Sequence, residues 1–164
     1  MRSATVPTPA GPFTVVADGE TVLASGWTDD PSALVALMAP DLRPATVEPA
    51  GSLGAVTDAV AAYVEGDLTA VDAIAVRQHS GPFVTEAWAI LRRVPAGAPV
   101  TYAELAAKAG RPEAVRAAAS ACARNAAALF VPCHRVVRTG GGLGGFRWGL
   151  DVKRWLLAHE VAEA

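Results

Sequence analysis

The sequence predicts an α+β fold in two parts: a small N-terminal sheet-and-helix domain over residues 1–78, then a mostly helical C-terminal domain over residues 79–164 that includes a helix-turn-helix unit. Three observations carry this. Near the start, Pro12–Ala17 and Thr21–Trp27 are short β-prone runs flanking Asp18-Gly19, a pair suited to a tight hairpin. From Phe83 onward the apolar residues recur at helical spacing instead. Between these regimes lies Gln78-His79-Ser80-Gly81-Pro82, which has the composition of a linker.

At 164 residues, 52% of them hydrophobic, the chain is long enough to bury a real core in one or two units. No run approaches the roughly 18 apolar residues needed to span a bilayer. Met1-Arg2-Ser3-Ala4 leads to Pro7 and Pro9, not to an apolar signal core, so a cytoplasmic location is expected. Two cysteines, Cys122 and Cys133, lack the paired spacing of a structural zinc site, and neither metal nor cofactor is expected. A net charge of -2 argues against a protein that grips nucleic acid through a broad basic surface. Any such contact must be local, and most of the arginines lie in the C-terminal half.

In the N-terminal domain, Asp30-Pro31-Ser32 offers a helix start before the apolar residues Ala33 to Met38. A second helix is expected over Leu53–Glu65, where Val56, Val60 and Val64 share a face and Gly66 follows the last turn. Ala73–Val76 reads as a further strand. Asp58, Asp67 and Asp72 are expected to be solvated, because carboxylates are rarely buried unpaired.

The C-terminal domain opens with a helix over Phe83–Val94, stopped by Pro95-Ala96-Gly97. Thr101 followed by Glu104 is a capping-box pattern for a helix that Gly110 closes. Pro112 then introduces a second helix from Glu113 to about Arg124. Two short helices joined by a tight turn form the helix-turn-helix candidate. Ala117, Ala118, Ala119 and Ala121 leave the second helix nearly bare, which favours helix formation and permits close approach to another surface. Thr139–Gly145 is a glycine-rich loop, with no Lys-Ser or Lys-Thr following as a phosphate cradle requires. Asp151–Glu160 is the closing helix.

The stretch with chemical content is Val131-Pro132-Cys133-His134-Arg135-Val136, behind the apolar run Ala126–Val131. A free cysteine usually behaves as a small buried hydrophobe. Here His134 supplies a base next to it and Arg135 a positive charge, the setting in which a thiol of ordinary pKa about 8.5 becomes a nucleophile. In an extended segment neighbouring side chains point to opposite faces. A bridging water or a local turn after Pro132 is therefore required for proton transfer.

Pro132-Cys133-His134-Arg135-Val136 resembles the active-site motif of the O6-alkylguanine-DNA alkyltransferases, also called methylated-DNA–protein-cysteine methyltransferases. The similarity runs from about Pro82 to Glu160. It includes Phe83 to Trp88 in the first helix, Tyr102, Arg116 and Asn125 at the family spacing from Cys133, and Gly145-Phe146-Arg147-Trp148-Gly149-Leu150. The ending Lys153, Leu156, Leu157, Glu160 also fits.

That resemblance implies direct-reversal DNA repair by a monomer without cofactor. The helix-turn-helix, winged-helix-like, enters the minor groove of duplex DNA carrying O6-alkylguanine, and the alkyl group passes once and irreversibly to Cys133. It implies His134 as base and Glu160 as its orienting carboxylate. Tyr102 becomes the proton donor to the departing guanine, and Asn125 either a bridge between the helical pieces or a clamp on the backbone near the cysteine. Arg116 is expected to fill the gap left by the extruded nucleotide, with Ala117, Ala119, Thr101 and Arg135 also contacting DNA. Val136, Phe146, Arg147 and Trp148 are expected to form the substrate pocket, where Trp148 would narrow the space for bulky adducts.

The chain departs from the family pattern at Val115, Ala119 and Ala126, which puts DNA affinity in question. Two other classes compete with this reading. A cysteine hydrolase shares the three residue types but needs an oxyanion site and turnover, whereas a DNA-binding module would leave DNA unmodified. The zinc-cysteine domain of a methylphosphotriester sensor has no counterpart in the sequence.

Overall fold

A computed structural model describes residues 1–162, so the last two residues of the expected C-terminal domain, 163 and 164, lie outside the described residues. The chain divides into two compact units. One comprises residues 1–78 together with 126–130, and the other residues 79–125 together with the described residues from 131 onward.

The first unit is built on a five-stranded sheet in the order β4-β1-β2-β3-β5. Its centre is an antiparallel meander of β1 (Arg2–Thr8), β2 (Gly11–Asp18) and β3 (Thr21–Gly26). The β2-β3 turn consists of Gly19 and Glu20, one residue beyond the expected Asp18-Gly19 pair because Asp18 still pairs with Thr21, and Gly19 has φ 59. The edges are the two-residue strands β4 (Glu48–Pro49), parallel to β1, and β5 (Ala75–Val76), parallel to β3.

β1 is absent from the sequence reading, and it carries Pro7, a residue rare inside strands. Pro7 is tolerated because β4 pairs only with Arg2 and Ser3, so no neighbour on that side needs its missing N–H. The expected strand at Ala73–Val76 is shorter, since Ala70–Ala73 forms a 3-10 turn. Helices α1 (Pro31–Val35, capped by the Asp30 side chain) and α2 (Ala55–Val64) bury Leu34, Val56, Val60 and Tyr63. α1 stops before the predicted Met38. Phe13 is fully buried and meets both Trp27 and Phe130, with ring centroids 4.6 and 6.3 Å apart.

Residues 126–130 join this unit through Ser25. Its N–H donates to the Ala126 carbonyl at 2.8 Å, its carbonyl accepts from Ala128 N–H at 3.3 Å, and its hydroxyl donates to the Ala128 carbonyl at 2.7 Å. Placement in a sheet-bearing unit explains why the run is uniformly apolar.

The second unit contains α3 (Pro82–Leu91), α4 (Tyr102–Lys108), α5 (Val115–Arg124) and α6 (Leu150–Ala162). A short parallel pair, β6 (Val100–Thr101) with β7 (Val136–Val137), ties the start of α4 to the segment after the cysteine. Thr101 forms the complete capping box: its hydroxyl accepts from Glu104 N–H, and the Glu104 carboxylate accepts from Thr101 N–H, both at 3.0 Å.

Gly110 at φ 85 ends α4 with N–H groups of Gly110 and Arg111 returning to Ala107 and Ala106, a Schellman arrangement. α5 begins at Val115, two residues after the expected Glu113. Its last carbonyls recruit side chains: Trp88 Nε1 donates to Ala121 O at 2.9 Å, and Arg147 Nη2 donates to Ala123 O. Replacing Trp88 by Phe removes a buried donor while keeping most of the ring. The unfolding free energy from urea titration is expected to drop by about 1–3 kcal/mol.

Candidate active site

The cysteine segment is shaped by Pro132. With φ −81 and ψ 66, and with Cys133 N–H donating to Val131 O at 2.8 Å, Pro132 forms an inverse γ-turn. A 3-10 turn over Cys133–Arg135 follows directly. The local turn is present in the backbone, but it does not join the imidazole to the thiol: Nδ1 has no hydrogen-bond partner among the described residues, so proton transfer still requires the bridging water. Asn125, at the C-cap of α5, fixes this turn from outside: Nδ2 donates to Val131 O at 2.8 Å and approaches Cys133 Sγ at 3.3 Å. It is a clamp on the backbone near the cysteine.

His134 is fully buried, and its Nε2 lies 2.8 Å from Glu160 Oε2. Arg135 donates to the same carboxylate twice, Nε to Oε1 at 3.0 Å and Nη2 to Oε2 at 2.9 Å, and its Nη1 donates to Val94 O at 2.7 Å. Burial pushes the Glu160 pKa up, but the hydrogen bonds and charges of His134 and Arg135 outweigh it and bring it to about 2. Glu160 is therefore a carboxylate, with only acceptors to offer. The His134 proton must then sit on Nε2, which leaves Nδ1 with a lone pair. Nδ1 is buried and has no hydrogen-bond partner among the described residues.

This cluster sets the protonation of the pair. One carboxylate and one guanidinium already cancel, so a protonated imidazole would leave a net buried charge. Burial accordingly lowers the His134 pKa, against the pull of Glu160. Burial likewise raises the Cys133 pKa, opposed by Asn125 and by the positive charge of Lys153. At rest the site holds a neutral thiol beside a neutral imidazole.

Arg135 was expected among the DNA-contacting residues, and the structure corrects this. It is 3% exposed, and each of its three guanidinium nitrogens donates within the fold, Nε and Nη2 to Glu160 and Nη1 to Val94 O. Arg116, Ala119 and, less fully, Ala117 and Thr101 are accessible. Tyr102 is partly buried, which raises its phenol pKa and keeps it protonated at neutral pH.

Of the expected pocket residues, Val136 is fully buried, its carbonyl accepting from Lys153. Phe146 meets the His134 ring edge-on at 6.5 Å. Arg147 is exposed and donates to α5, and Trp148 is partly exposed. A cavity of about 240 Å³ lies instead between Tyr102, the α5 residues Val115, Arg116 and Ala119, and Arg138, Gly144 and Gly145.

The sequence reading missed Lys153 as a site residue. It is fully buried, and Nζ donates to the carbonyls of Val136 (2.8 Å), Gly145 (3.1 Å) and Leu143. A lysine thus pins the glycine-rich loop to α6. The available signal was its spacing with Leu156 and Glu160, which puts three buried residues on one helix face. Gly144, at φ 73, is required where this loop passes Tyr102, because a Cβ there would lie 2.6 Å from the phenol oxygen.

No metal-binding group of three or more ligating side chains occurs among the described residues, and no helix among them is long and apolar enough to cross a membrane.

The family model described as "6-O-methylguanine DNA methyltransferase, DNA binding domain" matches residues 82–162. The methylated-DNA–protein-cysteine methyltransferase of Salmonella typhimurium is 36% identical over 158 residues, covering 94% of this chain and 92% of the relative. The human protein of that name is 47% identical over 73 residues, 44% of this chain and 35% of its own length. Among solved structures, Mycobacterium tuberculosis OGT in complex with DNA superposes with a TM-score of 0.82 at 26% identity, covering 100% of this chain and 95% of that one. A relative matched nearly end to end at this identity, with the family model lying over the part that holds Cys133, shows that the chain belongs to the methylated-DNA–protein-cysteine methyltransferase family.

Proposed function

We propose that this protein repairs alkylated DNA directly, transferring one alkyl group, typically methyl, from O6 of guanine in duplex DNA to Cys133. The product is S-alkylcysteine, a thioether that water does not hydrolyse, so each molecule acts once. The observation that carries the reading is the carboxylate-locked imidazole next to the thiol. Glu160 holds Nε2–H and leaves Nδ1 as the basic atom, one residue from Cys133.

In this mechanism a water relays the thiol proton to Nδ1 as sulfur attacks the alkyl carbon. The C–O6 bond breaks, and Tyr102 donates a proton to the guanine as charge develops on the leaving base. The imidazolium returns the proton to the phenol side, so the thiol hydrogen ends on guanine. Glu160 is already shared with Arg135, so its main part is to hold the tautomer and only secondarily to stabilise the imidazolium. The neutral resting thiol suits a protein that reacts once, because thiols are far less prone than thiolates to stray oxidation or alkylation.

The target atom is shielded in the base stack, so the nucleotide must rotate out at a cost of a few kcal/mol. α4 and α5 serve as the helix-turn-helix, winged-helix-like, with α5 in the minor groove. The short side chains of Ala117 and Ala119 allow close approach, Thr101 lies at the helix start, and Arg116 fills the vacated stack. Arg116 is exposed and its side chain makes no hydrogen bond or ion pair among the described residues, which leaves it free for this role. The extruded base is received near Val136, Phe146, Arg147 and Trp148, by a monomer, in a domain spanning residues 79–164.

Incubation with a duplex carrying one O6-methylguanine is expected to raise the intact mass by one CH2, located on Cys133 by peptide mapping. Cys133→Ser is expected to abolish the gain and retain DNA binding. Turnover without a retained alkyl group would instead mark a cysteine hydrolase, and binding without transfer a DNA-binding module.

The site also fixes how stability depends on pH. The folded Glu160 pKa, about 2, is below its ordinary 4.5, so its contribution is complete above pH 4.5 and is lost as pH falls toward 2. The folded His134 pKa is also depressed, so its contribution starts to decline once pH drops below the ordinary 6.5. The urea midpoint should therefore fall steadily on acidification from pH 6.5. Glu160→Gln is expected to lose about 3–5 kcal/mol at pH 7, leaving Arg135 buried without its counter-charge, and to flatten the fall below pH 4.5.

A further inference from the structure

The cavity beside Tyr102 and Arg116 is lined by a second cation, Arg138, which the alkyl-transfer mechanism does not use. No carboxylate lines this cavity among the described residues. Neither arginine has an ion pair or a side-chain hydrogen bond among the described residues. Two uncompensated guanidinium groups on one cleft favour an anion there.

Arg138 is also held in place. Its N–H donates to Gly142 O at 2.8 Å and its carbonyl accepts from Gly141 N–H at 3.2 Å, closing a tight turn. Gly142 lacks the Cβ that would lie 3.4 Å from Arg138 Cδ, so the aliphatic stem rests against the turn. Its charge is felt at Tyr102: burial raises the phenol pKa, and Arg138 pulls it the other way.

We infer that Arg138 is a phosphate-binding residue, which grips a phosphodiester flanking the extruded nucleotide from the wall of the cleft it shares with Arg116. The inference rests on the alkyl-transfer reading above. Arg116 is then committed to the base stack and Arg135 is consumed by Glu160, so Arg138 is the cleft cation left to meet backbone charge. A planar guanidinium on a pinned stem suits a phosphodiester, which accepts two parallel N–H bonds.

The test pairs Arg138→Ala and Arg138→Lys with DNA in which the linkage on either side of the O6-methylguanine is replaced, one at a time, by a neutral methylphosphonate. Rates of methyl transfer are read at subsaturating protein. Arg138→Ala is expected to slow transfer to ordinary duplex about tenfold, the scale of one charge-assisted hydrogen bond. It should also reduce the slope of log affinity against log salt by about 1. Arg138→Lys should recover part of the rate.

The deciding result is the cycle. At one of the two linkages, neutralising the phosphate should slow the unaltered protein about tenfold and leave Arg138→Ala unaffected. If both proteins lose equally at both linkages, Arg138 acts on the fold or on Tyr102 and the inference is overturned. If the unaltered protein transfers no methyl group to Cys133, the alkyl-transfer reading itself has failed, which is a different outcome.

Discussion

The carboxylate of Glu160 is the constraint from which the rest of the site follows. It lies 1% exposed near the end of α6 and accepts from two consecutive residues of the cysteine turn. A buried carboxylate alone would be prohibitively costly, and a buried guanidinium equally so. Together they cancel, and the doubly bonded arginine geometry leaves His134 no choice of tautomer. The direction in which the site can move a proton is thus a consequence of charge neutrality in a dry interior.

The same helix face does a second job. Lys153 sits two turns before Glu160 and gathers carbonyls from β7 and the glycine-rich loop, while Leu156 fills the space between. α6 therefore holds both the turn that carries the thiol and the loop that passes Tyr102. Gly144 lets that loop come closer to the phenol than any side chain would allow. From the other side Asn125 ties the end of α5 to Val131 and to the sulfur, so the helix proposed to enter DNA and the nucleophile share one anchor.

Much of this was legible in the chain. Thr101-Tyr102-Ala103-Glu104 specifies a helix start through local hydrogen bonds alone, and it forms as read. The hairpin turn at Gly19-Glu20, one residue beyond the pair that signals it, is similarly local. β1 was not legible because the tolerance of Pro7 depends on which partner strand happens to be short. For Arg135 the residue type was visible but its partner was not: an arginine beside a reactive cysteine reads as a contact residue until the glutamate 25 positions later is found against it. For Lys153 the helical spacing with Leu156 and Glu160 could signal burial but not its partners, and for Arg138 there was no signal at all. Their meaning depends on carbonyls and cavities assembled from separate segments, which periodicity does not encode.

The central claim is that Glu160 holds His134 as the neutral tautomer protonated on Nε2, with Nδ1 as the basic nitrogen. Nitrogen-15 NMR of the histidine-labelled protein at neutral pH reads this directly. One protonated nitrogen, assigned to Nε2, and one unprotonated nitrogen, Nδ1, are expected for His134. Protonation of both nitrogens, or a proton on Nδ1 with Nε2 bare, would contradict it.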